Sequence, residues 1–210
     1  MAPTSQFVRK ASGSFVRSVL VSVAMALTPT TEIPLGFEAP DFQLPNAVDG
    51  QLVHGQSLME ERPSVVVFMC NHCPFVVHIL DQLTAMARDY GQRGIQFIAI
   101  SSNDVANYPM DGPEEMKALA EECGFDFPYL YDETQEVARA YDAACTPDFS
   151  VFDADRRCVY RGRFDASRPG NDIPVTGEDL AQVLDHLLAG DPVPTEGQAP
   201  SMGCNIKWKA

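Results

Sequence analysis

The chain has 210 residues, 45% of them hydrophobic, and a formal net charge of -14, a composition typical of a globular protein. Such an acidic chain is repelled by nucleic acids and by anionic membrane surfaces, so neither is an expected partner. No apolar run approaches the roughly 18 residues that a membrane span needs.

Residues 1–34 differ from the rest of the chain and are predicted to form an N-terminal extension outside the folded domain. Three basic residues precede a short apolar run at 19–27, which is the outline of a secretory signal peptide. The alternative, which we prefer, is that Met25 is the natural start and that the residues before it are a disordered extension. The first interpretation predicts a periplasmic protein, and the second predicts a cytoplasmic one.

Residues 35–190 carry the pattern of one α/β domain. Asp49-Gly50 lies between two apolar segments, which predicts a β-hairpin. The continuous apolar run at 64–69 predicts a strand buried on both faces. Apolar residues then recur at steps of three and four from 76 to 90, as in an amphipathic helix, and a second strand is predicted at 95–100.

The second half of the domain continues the alternation of helices and strands. A helix is predicted to begin at 111–115, followed by a strand at 127–131 and a short helix at 134–141. Two paired strands at 149–152 and 159–164 and a last helix at 177–188 complete the domain. Residues 191–210 form a C-terminal tail that contains Cys204. This order predicts an α/β fold with a mixed central sheet flanked by helices and an N-terminal β-hairpin extension.

The six cysteines are too sparse for a disulfide-stapled scaffold, and only Cys70 and Cys73 are close in sequence. Two intervening residues allow both sulfurs to occupy one helical turn and to close a disulfide. At the start of a helix after a buried strand, the Cys70 thiolate would be stabilised by free N–H groups and would attack a disulfide. Cys73 would resolve the mixed disulfide, and His72 would tune the pair. A buried unreactive pair and a metal site remain alternatives.

A second informative element is Thr146-Pro147, which stands before the predicted strand at 149–152. A cis bond here would expose backbone for pairing with an extended peptide. The residues alone favour an ordinary trans proline at the start of a strand.

Three segments (39–42, 70–74 and 146–149) together resemble the thioredoxin-like proteins of the redoxin (AhpC/TSA-type) group. The chain is most similar to bacterial thioredoxin family proteins with the motif Cys-Asn-His-Cys, which share the tail at 203–209. The resemblance implies a thioredoxin fold in which Pro147 is cis and lies beside Cys70 and Cys73, with Thr146 and Pro147 binding an extended substrate.

The chain also departs from its relatives. Thioredoxin buries a carboxylate six residues before its first cysteine, where this chain has Ser64. This chain also has a histidine, His72, directly before its second cysteine, which thioredoxin lacks and which resembles the motif of the oxidising disulfide isomerases. Peroxiredoxins carry Thr or Ser three residues before the reactive cysteine, where this chain has Cys70. Copper-delivering relatives separate their cysteines by three residues rather than two. We therefore predict a thiol–disulfide oxidoreductase, with a thiol peroxidase as the main alternative and a metal-binding protein as the lesser one.

Two further cysteines are candidate accessory thiols. Cys145 directly precedes Thr146, and Cys204 lies in a tail that could reach Cys145 or deliver a third thiol to the site. The alternative is that Cys145 is a small packing residue and that the tail only covers a sheet edge. The dithiol carries two electrons itself, so no organic cofactor and no metal are expected. The expected partners are protein or small-molecule disulfides and a separate redox partner, and the oligomeric state stays open.

Overall fold

The computed structural model describes residues 27–210 of the chain. The predictions of a signal peptide or a late start at Met25 lie outside the described residues. In the part that is described, no helix is both long enough and apolar enough to cross a membrane.

The described residues form ten strands, five α-helices and a short 3-10 helix (Pro109–Asp111). The strands are β1 (Leu27–Pro29), β2 (Gln43–Pro45), β3 (Leu52–His54), β4 (Ser64–Phe68), β5 (Gln96–Ser101), β6 (Tyr129–Tyr131), β7 (Cys145–Thr146), β8 (Asp148–Phe152), β9 (Cys158–Gly162) and β10 (Met202–Asn205). The helices are α1 (Gly55–Met59), α2 (Pro74–Gln92), α3 (Pro113–Cys123), α4 (Glu136–Ala140) and α5 (Glu178–Ala189).

A five-stranded mixed sheet in the order β6-β5-β4-β8-β9 forms the centre of the fold. β4 runs parallel to β5 and antiparallel to β8. All five residues of β4 are buried, and alternate side chains enter opposite apolar cores, as the two-residue period of a strand requires. Val65 and Val67 pack with α2, α3 and α5, whereas Val66 and Phe68 face the core that α1 and α4 cover. The predicted α/β fold with a mixed sheet is confirmed.

The predicted N-terminal hairpin is also confirmed, since β2 and β3 pair in antiparallel fashion with Leu44 opposite Val53. Gly50 adopts a positive φ of 72° in the connecting turn, a conformation that glycine accepts at little cost.

A third, three-stranded sheet was not predicted from the sequence. The tail strand β10 lies between β1 and β7 and pairs in antiparallel fashion with both. The residues on either side of the thioredoxin-like domain therefore form one small sheet at its edge, and this sheet brings Cys204 toward the Cys70–Cys73 segment.

Candidate active site

The Cys70–Cys73 segment lies at the carboxyl end of β4, where it connects the central sheet to α2. The helix begins at Pro74, with Cys73 in extended conformation as its N-terminal cap residue. The expectation that Cys70 begins the helix is therefore wrong. Proline fits the first helical position because its missing N–H would have no partner there, and this places Cys73 rather than Cys70 at the positive end of the helix.

The loop that faces this segment contains Thr146 and Pro147, and the peptide bond between them is cis, as the resemblance implies. Cys70 Sγ lies 3.6 Å from Thr146 Oγ1, and the Cys73 thiol donates to the Thr146 carbonyl oxygen at 3.1 Å. The structure thus brings together the predicted residues Cys70, Cys73, Thr146 and Pro147.

A third thiol completes the cluster. Cys204 Sγ lies 3.0 Å from Cys73 Sγ, and this is a side-chain contact between residues far apart in sequence. Cys70, Cys73 and Cys204 are reduced and almost fully buried, with exposures of 1%, 0% and 3%. The central sulfur of the three is that of Cys73, which has Cys70 on one side and Cys204 on the other.

Among the three thiols of the cluster, ionisation is most favoured at the central one, Cys73. The contacts of the Cys73 sulfur with Cys204 and then with Cys70 lower the pKa of Cys73. The same contact with Cys73, together with burial, raises the pKa of Cys70 and that of Cys204. The directions of these shifts favour Cys73 as the first of the three thiols to ionise, and so does its place at the N-terminus of α2.

A buried carboxylate supports the segment from the opposite side. Asp111 is fully buried and accepts hydrogen bonds from the Asn71 backbone N–H at 3.0 Å and from the Asn103 side-chain amide at 2.8 Å. Its Oδ2 atom lies 2.7 Å from His72 Nδ1, an ion-pair contact without the alignment of a hydrogen bond. Sequence analysis missed Asp111, because its position before α3 indicated only a helix start.

A groove lined by both polar and apolar residues runs beside the cis proline, with His78, Arg163 and Asp165 among the polar ones. Phe75 and Ile79 of α2, Pro147 and Phe164 supply apolar lining, and Met202 of the tail closes one side. A groove of mixed polarity beside the cis proline and the β7 strand suits a peptide better than it suits a small ion.

Comparison with known families assigns this arrangement. Residues 35–161 match the AhpC/TSA family. The chain belongs to the AhpC/TSA family. A comparison with curated proteins finds no significant match.

Solved structures agree with this membership. An uncharacterised conserved protein from Geobacillus kaustophilus is 55% identical, with 89% of this chain and 98% of that chain covered and a TM-score of 0.86. A hypothetical protein from Sinorhizobium meliloti 1021 is 45% identical, with coverages of 87% and 99% and a TM-score of 0.84. A putative thioredoxin from Neisseria meningitidis is 20% identical, with coverages of 72% and 89% and a TM-score of 0.56, a likeness that shows the thioredoxin-like fold alone.

Cys145 lies near the cluster of this AhpC/TSA protein but makes different contacts. Its sulfur is 3.9 Å from Thr30 Oγ1 and 3.6 Å from the Pro147 carbonyl oxygen. Burial, followed by the charge of Asp148, raises the pKa of Cys145. The sulfur of Cys204 contacts that of Cys73, not that of Cys145. The geometry therefore favours delivery of a third thiol to the site over a Cys145–Cys204 link.

The site of this AhpC/TSA protein also contains three possible metal ligands. The donor atoms of Cys70, His72 and Asp111 lie within 4.8 Å of one another. Sulfur, imidazole and carboxylate are ligand types that zinc accepts. Both carboxylate oxygens of Asp111, however, already face N–H donors or the His72 ring. Asp111 thus supports the Cys70–Cys73 segment through hydrogen bonds from the Asn71 and His72 backbone N–H groups and through its ion-pair contact with the His72 ring.

The His72–Asp111 contact predicts a pH-dependent stability. Its proximity to the Asp111 carboxylate raises the pKa of His72 above the ordinary value. The contact therefore stabilises the fold fully below the unfolded-state pKa of about 6.5, and this contribution is lost as the pH rises through the higher folded-state pKa. In urea unfolding under reducing conditions, His72→Gln should lose most stability relative to the parent protein near pH 5.5 and progressively less at higher pH.

The control for this prediction is His54→Gln, which changes an exposed histidine of β3. Its effect on the free energy of unfolding should be small across the same pH range. A loss of stability in His72→Gln that stays constant from acid to alkaline pH would show that the ion pair contributes nothing.

Proposed function

We propose that this protein is a thiol–disulfide oxidoreductase whose redox pair is Cys70 and Cys73. The observation that carries the proposal is the placement of both thiols in one segment before α2, in contact with Thr146 and beside the groove that Pro147 lines. Its proposed substrates are protein or small-molecule disulfides, and a separate redox partner restores the pair after each cycle.

The proposed reaction needs no further reactant. A thiolate of the pair attacks one sulfur of a substrate disulfide, forms a mixed disulfide and releases the other sulfur as a thiolate. The second cysteine of the pair then attacks the mixed disulfide, which closes the Cys70–Cys73 bond and releases the remaining substrate thiol. Two electrons pass from the protein to the substrate, and the protons of the two protein thiols end on the released thiols or in water.

The order of the two attacks follows from the resting geometry. Cys73 is the N-terminal cap residue of α2 and the thiol of the cluster whose pKa is lowered. Its sulfur also contacts both Thr146 in β7 and Cys204 in β10, the strand that pairs with β7. We therefore propose Cys73 as the attacking residue and Cys70 as the resolving one, the reverse of the order predicted from sequence.

His72 is proposed to tune this chemistry through charge. Asp111 is the main cause that raises the pKa of His72, and the charge of the Cys73 thiolate adds to it, so by reciprocity a protonated His72 stabilises that thiolate. A stabilised thiolate makes the disulfide form a stronger oxidant.

Thiol peroxidase activity is the second candidate, because the AhpC/TSA family and a low-pKa thiol are both compatible with it. Stopped-flow mixing of the fully reduced full-length chain with glutathione disulfide or with hydrogen peroxide separates the two. We expect glutathione disulfide to yield the Cys70–Cys73 disulfide with release of both glutathione molecules. A reaction with peroxide that is roughly 100-fold faster than that with glutathione disulfide would overturn the proposal in favour of a peroxidase.

A further inference from the structure

The tail strand occupies the place where an extended substrate would be expected to pair. β10 lies antiparallel to β7, with Cys204 opposite Thr146 and Asn205 opposite Cys145. Gly203 packs so closely against this edge that a Cβ atom on it would collide with the carbonyl group of Thr146. The backbone edge assigned to substrate binding is thus paired with the chain's own C-terminal segment.

The tail is held on both sides of Cys204. The Thr30 N–H donates to the Ser201 carbonyl at 2.9 Å, and the Ile206 N–H donates to the Ala144 carbonyl at 3.1 Å. The Lys207 N–H donates to Asn103 Oδ1 at 2.8 Å. These contacts fix the backbone around Cys204, so its sulfur stays within 3.0 Å of Cys73 Sγ. A sulfur held in this way reacts far more readily than the same group free in solution.

We propose that Cys204 is a third redox-active cysteine of this site, and that β10 is a built-in substrate strand whose sulfur exchanges a disulfide bond with Cys73. The inference rests on the proposed function, because it requires the Cys70–Cys73 pair to be oxidised during turnover. When an external, extended peptide replaces β10, the reacting sulfur of that peptide would take the position that Cys204 now occupies.

The exchange is balanced within the protein. Starting from the Cys70–Cys73 disulfide, Cys204 loses its proton and its sulfur attacks Cys73 Sγ, forming the Cys73–Cys204 bond as the Cys70–Cys73 bond breaks. The Cys70 sulfur leaves as a thiolate and takes up a proton. One disulfide and one thiol are present before and after, so no oxidant or reductant is consumed.

The exchange has two consequences for the site. Oxidation at Cys73–Cys204 ties β10 to the substrate edge covalently, which blocks access by another peptide. It also leaves Cys70 as a free thiol while the protein remains oxidised by two electrons. The Cys70–Cys73 form, in contrast, leaves the tail held only by noncovalent contacts and therefore displaceable.

The test is to equilibrate the full-length chain in mixtures of glutathione and glutathione disulfide, quench with acid, alkylate free thiols and map unreduced peptides. We expect two forms, one with Cys70–Cys73 bonded and Cys204 alkylated, and one with Cys73–Cys204 bonded and Cys70 alkylated. Because both forms are at the same oxidation level, their ratio should not change with the glutathione redox ratio. Cys123→Ser, a change on α3, should leave that ratio as it is.

Two variants separate this inference from the proposed function. Cys204→Ser should abolish the second form while the Cys70–Cys73 disulfide still forms. Gly203→Ala retains all thiols but displaces β10, and it should lower the share of the Cys73–Cys204 form by about tenfold, a fold-change worth roughly 1.4 kcal/mol. The matched glycine change Gly91→Ala, at a site with open space around it, should have no such effect.

Each outcome has a distinct meaning. If Cys70–Cys73 forms while Cys204 remains alkylated at every redox ratio, the inference is wrong and the proposed function stands. If no disulfide forms between any two of the three cysteines, the proposed function itself fails.

Discussion

Replacement of Cys70 by serine, in a chain that also carries Cys204→Ser, is expected to leave a persistent mixed disulfide on Cys73 after one reaction with glutathione disulfide. Cys73 keeps its place as the cap of α2 in this variant, so its thiolate can still attack. No neighbouring thiol of the cluster remains to resolve the product. The adduct is read from the intact mass and located by peptide mapping.

The complementary variant, Cys73→Ser in the same Cys204→Ser background, should react roughly 100-fold more slowly at neutral pH. Its remaining cluster thiol is Cys70, whose pKa is still raised by burial and by the charge of Asp111. The fraction of thiolate falls tenfold for each unit by which the pKa exceeds the pH, and the attack slows with it.

The control for this pair is Cys158→Ser, which removes an equally buried thiol whose sulfur contacts the Tyr160 carbonyl oxygen in the opposite core. It should leave the rate and the adduct of the parent protein unchanged. Faster adduct formation on Cys70 than on Cys73 would contradict the proposed order and restore the one predicted from sequence.

The features that the sequence predicts well are those encoded locally. The continuous β-branched run at β4 indicates a strand buried on both faces. The spacing of apolar residues in α2 likewise indicates a helix with one buried face. The start of α2 could have been located more accurately, because Pro74 favours the first helical position and thereby indicates Cys73 as the cap.

Other parts of the site have no local signal. The four residues of β10 show no alternation of buried apolar and exposed polar side chains, and the strand exists because β1 and β7 pair with it. Gly203 is required by the close approach of another backbone, which depends on a loop far away in sequence. The contact between Cys73 and Cys204 follows from that pairing, so the sequence could suggest a third thiol without specifying its partner.

Asp111 illustrates the same limit for a carboxylate. Ser64 stands where thioredoxin buries an acidic residue, and the sequence indicates no replacement. In the folded chain the segment between β5 and α3 brings the Asp111 carboxylate to the backbone N–H groups of Asn71 and His72. Hydrogen bonds to backbone donors carry no residue preference at the donor, so no pattern in the 70–74 segment reveals them.

Asp111→Asn is the second substitution with a large expected effect. The amide keeps the size of the side chain but turns one oxygen into an N–H donor, which then faces either the Asn71 N–H or the Asn103 amide. An opposed pair of buried donors costs about 1–3 kcal/mol, and removal of the charge also leaves His72 without its partner. We expect the free energy of unfolding to fall by about 3 kcal/mol.

A second readout of Asp111→Asn distinguishes an electrostatic role from a merely structural one. The Asp111 charge is among the causes that raise the pKa of Cys70, after its contact with Cys73 and burial. Removing the charge should therefore shift the pH profile of Cys70 alkylation to lower pH, measured in the Cys73→Ser/Cys204→Ser background. An unchanged profile would show that the Asp111 charge does not control the pKa of Cys70.

The matched control is Asp132→Asn, since Asp132 is equally buried and accepts from Ser102 Oγ and the Ala138 N–H. Both donors meet Oδ2, so the amide oxygen of asparagine can accept from both. We therefore expect a smaller loss of stability than in Asp111→Asn, with the pH profile of Cys70 alkylation where it was. A shift in both variants would mean that loosened packing, rather than the Asp111 charge, controls Cys70. A shift in Asp111→Asn alone would establish that the charge of this buried carboxylate, at the end of the short 3-10 helix Pro109–Asp111, raises the pKa of Cys70.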